Sequence, residues 1–269
     1  MEDGETKMPG PLTFPAPVFK KLHPAEYLRR FTQKQVRQSG RGLDDFRTTT
    51  VACSSIRTAA GSAVVCMGDT RVVAGVKIEL SSLPDVVPNL DLGPICSSKY
   101  KQGAPGEVAM AMAEKLRLVL HTTHLLDPAS LVIEKDRAAW VVYIDILCLS
   151  DDGNIFDAAW TSLVEALRTA RVPQARFDQD VGEVVLEKGW SALQLGMRAF
   201  STSVVRFDNT VVLADPDDDE EDLSHESATI VLDEELTVHY FSLDGTFTTD
   251  EIQHCLELAE SRTKYLMTA

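Results

Sequence analysis

Residues 138–170 read A-A-W-V-V-Y-I-D-I-L-C-L-S-D-D-G-N-I-F-D-A-A-W-T-S-L-V-E-A-L-R-T-A, and the fold turns on how this stretch divides. Trp140 to Leu149 is a β-rich apolar run closed by the turn signal Ser150-Asp151-Asp152-Gly153-Asn154. It is too short to cross a bilayer and reads as a strand buried on both faces. Beyond the turn, Leu163, Ala166, Leu167 and Ala170 recur at helical spacing, with Asp157 and Thr161 placed to supply oxygen acceptors at the helix start. The unit is strand, acidic turn, helix. Asp145 lies inside the strand between Ile144 and Ile146, where a carboxylate must find donors or give up its charge. The residues alone leave two readings: a structural acceptor that pins a neighbouring segment, or a catalytic carboxylate.

Upstream, residues 48–80 alternate and turn like antiparallel strands, and Gly68-Asp69 between two apolar runs is a hairpin signal. A weaker echo follows at Ser201 to Asp215, with Asp208-Asn209 in the turn, which suggests two halves sharing one plan. Pro105-Gly106-Glu107 opens a helix carrying Val108, Met112, Leu116, Val119 and Leu120 on one side, with Met110 and Met112 as core filler. Thr248-Thr249-Asp250-Glu251 is a capping box leading into Ile252, Cys255, Leu256 and Ala259. Near the start, Pro24 begins a short helix that docks through Tyr27, Leu28 and Phe31 and closes at Ser39-Gly40. Two segments read as irregular: the Pro- and Gly-rich connection from Leu83 to Gly106, and the acid-rich run Asp215 to Glu226, expected as a solvated loop.

The 269 residues are enough for one large domain or two closely joined ones, and a 44% apolar fraction is ordinary for a globular protein. The first twenty residues, with Pro9, Pro11, Pro15 and Pro17, lack the order of a signal peptide and read as a flexible or extended arm. Five scattered cysteines without a C-x-x-C pair argue for a reducing compartment and against a zinc site or disulfide framework. A net charge of -15 repels polyanions, so any nucleic-acid contact needs a local basic patch or more basic partners. The basic strip from Lys20 to Arg47 is open to two readings, an RNA- or partner-facing surface or a solvated helix face. No G-x-S-x-G, G-x-G-x-x-G or G-x-x-x-x-G-K-[ST] occurs, so neither a serine hydrolase nor a glycine-loop phosphate cradle is supported. A small-molecule kinase is disfavoured on the same ground.

Seven blocks in order then carry a resemblance. They are P-x-E-Y-x-R-R-F (24–31), G-R-x-x-x-x-F-R-T-T-T (40–50), the hairpin G-S-A-V-V-x-x-G-D-T-x-V-x-x-G-V-K (61–77), V-P-N-x-D-L-x-P-x-C-S-S (87–98), G-x-P-G-E (103–107), Y-I-D-I-L-C-L-x-D-D-G-N-x-x-D-A (143–158) and D-P-x-x-x-E-E (215–221). Together the chain resembles the RNase PH family, and within it the non-catalytic branch of eukaryotic exosome ring subunits. The resemblance implies an α+β fold of two similar halves of mixed β-sheet packed with helices. It implies an arm over residues 1–21 and an RNase PH-like domain over 22–269, its N-terminal part about 22–171 and its C-terminal part about 172–269.

It further implies a hetero-hexameric ring with related subunits, RNA-binding cap subunits on one face, and single-stranded RNA threaded to a separate processive 3′→5′ exoribonuclease in rRNA processing and RNA decay. The compartments implied are nucleus, nucleolus and cytoplasm, with no membrane, metal or cofactor. Active relatives carry arginines at the start of the helix after the long connection, where this chain has Gly103-Ala104-Pro105-Gly106-Glu107-Val108. Phosphorolysis needs phosphate held by charge-assisted donors, and a carboxylate there repels it. Active relatives also carry a proton-donating aspartate where this chain has Ser227 or Ala228, next to Glu226. No catalytic residue is therefore expected. Arg37, Arg41, Lys99 and Lys101 are the expected RNA contacts, and the resemblance favours the structural reading of Asp145. The rival expectation is a phosphorolytic exoribonuclease sharing a site with a neighbouring subunit.

Overall fold

The computed structural model describes residues 15–268 and forms two compact units, the first ending at Leu43 and the second beginning at Asp44. Most of the expected arm lies outside the described residues, and its end is not extended: Ala16–Leu22 is helical (α1). A second helix, α2 (Pro24–Thr32), follows with proline in its first turn. It stops well before Ser39-Gly40, where Gln35 takes the left-handed conformation at φ 58°. The aromatic side docks as expected, with Tyr27 against Phe31 at 5.1 Å and against Phe19 of α1 at 6.4 Å.

The second unit begins with β1 (Thr49–Cys53), β2 (Gly61–Met67) and β3 (Thr70–Ser81), all antiparallel. Met67 pairs with Thr70 across the two-residue turn, and Gly68 supplies its positive φ of 57°. The connection expected to be irregular contains a strand, β4 (Asp85–Asp91). Its alternation is visible in retrospect, because Val86, Pro88 and Leu90 face inward while Asp85, Asn89 and Asp91 face out. Helix α3 (Glu107–Thr122) buries Ala109, Leu116, Val119 and Leu120, but Val108 and Met110 are 52% and 55% exposed and are not core. A short β5 (Val132–Glu134) precedes β6 (Ala138–Ser150), the strand quoted first. The six-stranded sheet runs β1-β2-β3-β6-β4, with β4 parallel to β6 and β5 paired to it.

Only the first part of β6 is buried on both faces. From Tyr143 onward it alternates, with Ile144, Ile146 and Cys148 inside and Asp145, Leu147 and Leu149 outside. The strand is thus a covered run that becomes a one-faced strand where the packing layer ends. Behind it α4 (Ile155–Thr169) buries Trp160, Leu163 and Leu167 completely, each contributing about 1.5–3 kcal/mol of apolar burial. Gly61 lets β2 approach this helix, since a Cβ there would overlap the backbone of Ala166 and Ala170. Trp160 Nε1 donates to the Ala199 carbonyl at 2.8 Å, so the helix also holds the following half.

That half begins with a ribbon absent from the sequence reading, β7 (Arg171–Asp178) and β8 (Glu183–Ala192). Then β9 (Ala199–Phe207), β10 (Val211–Ala214), helix α5 (Asp218–Leu223), β11 (Glu226–Asp233) and β12 (Val238–Asp244) follow, with a sheet order β10-β9-β11-β12. Each half pairs a hairpin with a further antiparallel strand. The hairpins attach by opposite arms, β3 to β6 and β9 to β11, so the echoed turns share turn chemistry rather than register. Helix α6 (Thr249–Thr268) starts at the expected capping box, Thr248 Oγ1 donating to Glu251 Oε2 at 2.8 Å.

Candidate functional site

The acidic turn after β6 is a buried junction between the two halves. Arg47, from the F-R-T-T-T block, donates from Nη2 to Asp215 Oδ1 at 2.8 Å and from Nε to Asp215 Oδ2 at 3.0 Å. Its Nη1 donates to the Asp152 carbonyl at 2.6 Å, and Thr70 Oγ1 donates to the Gly153 carbonyl at 2.7 Å. Gly153, at φ 78°, has no room for a side chain against the backbone of Asp217. Asn154, in the left-handed conformation, donates from Nδ2 to Asp157 Oδ2 at 2.9 Å and to Asp215 Oδ1 at 2.8 Å. Four of the motif blocks therefore meet in one polar knot.

Asp157 does not cap its own helix as expected. Its carboxylate accepts from Ser203 N at 2.8 Å and Ser203 Oγ at 2.9 Å, tying α4 to β9, while Thr161 donates back to the Asp157 carbonyl. Burial raises the Asp157 pKa in spite of these donors. Burial would also raise that of Asp215, but the Arg47 guanidinium outweighs it and holds the carboxyl below the ordinary range. The run expected as a solvated acidic loop is largely built in. Asp215 and Glu220 are buried, and Asp217 with Glu220 forms a capping box for α5. A capping box fixes a short helix where composition alone suggests only solvation.

Beside the knot is a cavity of about 280 Å³, walled by Met112 and Lys115 of α3, Asn154 and Phe156, Glu221 and Ser224, and Glu226, Ser227 and Thr229 of β11, with Asp244 of β12. Its wall contains no arginine. Lys115, the cation there, donates from Nζ to Thr229 Oγ1 at 2.9 Å and lies 4.4 Å from the Phe156 ring centre, and burial lowers its pKa. Glu226 accepts from Thr246 N at 3.0 Å and Thr246 Oγ1 at 2.9 Å and pairs with Arg206 at 2.7 Å. Those Thr246 donors, then Arg206, hold its pKa below the ordinary range, the wrong direction for a proton donor. Glu221 accepts from Asn154 N at 2.8 Å, and burial with Asp151 and Asp218 pushes its pKa up to about 7.

The expected RNA contacts do not gather in one place. Arg37 is fully buried in this chain. Arg41, half-buried, donates from Nε to Ser39 Oγ at 3.1 Å. Lys99 Nζ bridges Asp218 and Asp222, each at 2.6 Å, so it fastens the long connection to α5. Lys101 is exposed in the same connection. Asp145, expected to be buried, is exposed on the outer face of β6, and Asn89 Nδ2 reaches its Oδ1 only at 3.4 Å. It lines a broad groove of about 1020 Å³ with Arg57, Lys77, Arg171 and Trp190.

The sequence profile of the 3′ exoribonuclease family matches twice, domain 1 over residues 45–173 and domain 2 over residues 198–262. The chain is 38% identical over 263 residues to the exosome complex component rrp43 of Schizosaccharomyces pombe, covering 93% of this chain and 96% of that protein. This chain belongs to the RNase PH family. It is 30% identical to the exosome complex component Rrp42 of Methanocella arvoryzae, covering 90% of this chain and 93% of the relative. Its fold matches a subunit of the Archaeoglobus fulgidus exosome with RNA bound to the active site, with a TM-score of 0.81, 26% identity and 93% and 98% of the two chains covered. The RNase PH-like fold expected from the motif order is therefore the fold observed, and the junction just described lies within the matched region.

Proposed function

We propose that this chain is a non-catalytic subunit of an exosome core ring, which supports assembly and the threading of single-stranded RNA to a separate 3′→5′ exoribonuclease. The observation that carries the non-catalytic reading is the cavity wall. Ser227 stands near where an acid is needed, Glu226 is committed to Arg206 and Thr246, and no guanidinium faces the space. Phosphate attack requires an anion held by charge-assisted donors, and this wall sets Glu221, Glu226 and Asp244 against Lys115 and His225, with no arginine. The relatives are named as exosome components, which supports ring membership. So do exposed apolar side chains on the ribbon and the edge strand, with Trp190 64%, Leu186 58% and Val51 43% exposed, of the kind an assembly covers.

The other ring subunits, cap proteins and processive nuclease are the partners of this reading, and nucleus, nucleolus and cytoplasm its compartments. The chain's N-terminal and C-terminal parts act as one wall element of the ring. Arg41 and Lys101 are the first residues to test for RNA contact, and Lys99 after them because its charge is already shared with two aspartates. The test is a reconstituted ring given RNA and inorganic phosphate. Any release of nucleoside diphosphates should survive Glu107→Ala and Glu226→Ala in this subunit. Loss of that release in either variant would favour a phosphorolytic site shared with a neighbour.

A further inference from the structure

We infer that the groove on the outer face of the six-stranded sheet binds single-stranded RNA, with a guanine base seated over Gly75 and Asp145. The first observation is Gly75 itself. It lies inside β3, paired in regular register with Ser62 of β2 and Asp145 of β6, and its φ is not positive. A Cβ there would meet Ile56 Cδ1 at 3.7 Å and Ala59 Cβ at 3.9 Å, ordinary contacts, so the packing does not demand glycine. Glycine inside a strand weakens it, and a ligand that approaches the backbone closely accounts for one that the fold does not need. The bare backbone leaves a flat patch of floor beside the Asp145 carboxylate, which is exposed and which Asn89 Nδ2 reaches at 3.4 Å.

The second observation is charge. The chain carries -15 overall, and among the described residues Arg57, Arg71 and Arg171 are the arginines whose side chains engage no carboxylate, carbonyl or ring. Two of them, Arg57 and Arg171, line this groove from different elements, the β1–β2 loop and the start of β7. Lys77 adds a third cation, shared with Glu79, and Asp145 is the one acid in the lining. Trp190 of β8, 64% exposed, stands in the wall, whereas Leu186 and Val51 lie outside, so a ring contact over those two leaves the groove open. Unpaired guanidiniums suit phosphates, and an exposed indole suits a stacked base. Guanine presents two adjacent N–H groups on its Watson–Crick edge, which match the two oxygens of one carboxylate. An acidic protein segment would also meet the guanidiniums, but Asp145 opposes it at the spot where a base offers donors. About 1020 Å³ is room for a short run of nucleotides rather than one small molecule.

The inference rests on RNA as the ligand of the functional reading, and assigns it a surface that shares no residue with the cavity beside the knot. Fluorescein-labelled RNA decamers, (GU)5 and (AU)5, are titrated into the full chain at low salt and followed by anisotropy. One saturable site is expected, with (GU)5 bound about five- to tenfold tighter. Asp145→Asn should erase that preference in a folded protein, and Trp190→Ala should weaken both RNAs about tenfold. Arg57→Gln and Arg171→Gln should weaken both RNAs alike, each lowering the salt slope by about one. Gly75→Ala should weaken binding severalfold while the melting temperature holds or rises, which separates the seat from the scaffold. Absence of saturable binding, equal affinity for the two decamers, or undiminished affinity in the Arg57→Gln/Arg171→Gln double variant would overturn the inference. Tighter binding of a glutamate decamer than of (GU)5 would overturn it in favour of an acidic protein segment. Protection of RNA by the reconstituted ring separates the two failures: a ring that protects no RNA defeats the functional reading, whereas protection together with silence in the titration defeats this inference alone.

Discussion

Asp157 and Asp145 both interrupt apolar runs of the same strand-turn-helix unit, yet they end in opposite environments. Asp157 is buried and takes two donors from Ser203, in a knot that also engages Asn154, Asp215 and Arg47. Asp145 points away from the core on the exposed side of β6, where Asn89 Nδ2 reaches it at 3.4 Å. A polar residue in an apolar segment is therefore not evidence of burial until the layer covering it is known. Where covering is complete the carboxylate must be answered by donors, and where it is absent water answers it.

The sharpest way to break this contrast is to remove the knot's cation. Arg47→Ala should cost about 3–5 kcal/mol in chemical denaturation, because it leaves the buried Asp215 carboxylate without the guanidinium that offsets its charge. The Asp215 carboxyl is held below its unfolded value, so this contribution is fully present above the unfolded pKa and is lost as pH falls through the folded one. A cost within about 0.5 kcal/mol at neutral pH would mean that the knot does not join the halves.

Glu221 gives the next largest effect, with the opposite sign. Its folded pKa of about 7 lies above the ordinary 4.5, so the folded state keeps a proton that the unfolded state has lost, and stability falls as pH rises across that window. Glu221→Gln should remove this fall, gaining up to about 3 kcal/mol at pH 8 as an upper bound and little at pH 4. Thermal melts of both proteins across that range decide it, and parallel curves would contradict the assignment. The smallest effect belongs to the exposed acid. Asp145→Asn should change stability by no more than about 0.5 kcal/mol, measured in the same denaturation series, and a larger loss would mean that the outer face of β6 is structured by this carboxylate.

Much of the fold was legible in the residues. The Gly68 turn, the strand-turn-helix unit and the capping box at Thr248 all rest on local chemistry that neighbouring packing does not override. The strand β4 and the ribbon β7–β8 were hidden for different reasons. Pro88 and the surrounding turn residues masked a parallel strand whose partner lies far along the chain, and β8 is exposed along almost all of its length, so it carries no apolar alternation. The site was legible only as motifs. Nothing in the spacing says that Arg47, Thr70, Asn154 and Asp215 converge, since buried ion pairs across long sequence separations leave no periodic trace. A usable signal was present at Asp157, an acid set between Phe156 and Ala158-Ala159-Trp160 in the first turn of α4, where apolar neighbours on both sides point to a buried acceptor.

The central proposal is that the family motifs here join the two halves, and that the cavity beside them, lined by Lys115 but by no arginine, does not hold phosphate. It is tested most directly by titrating inorganic phosphate into the full chain and following the resonances of Lys115, Ser227 and Thr229 by NMR. No saturable shift is predicted at any phosphate concentration that leaves ionic strength constant. A saturable shift at those residues that disappears in Lys115→Met would contradict the account.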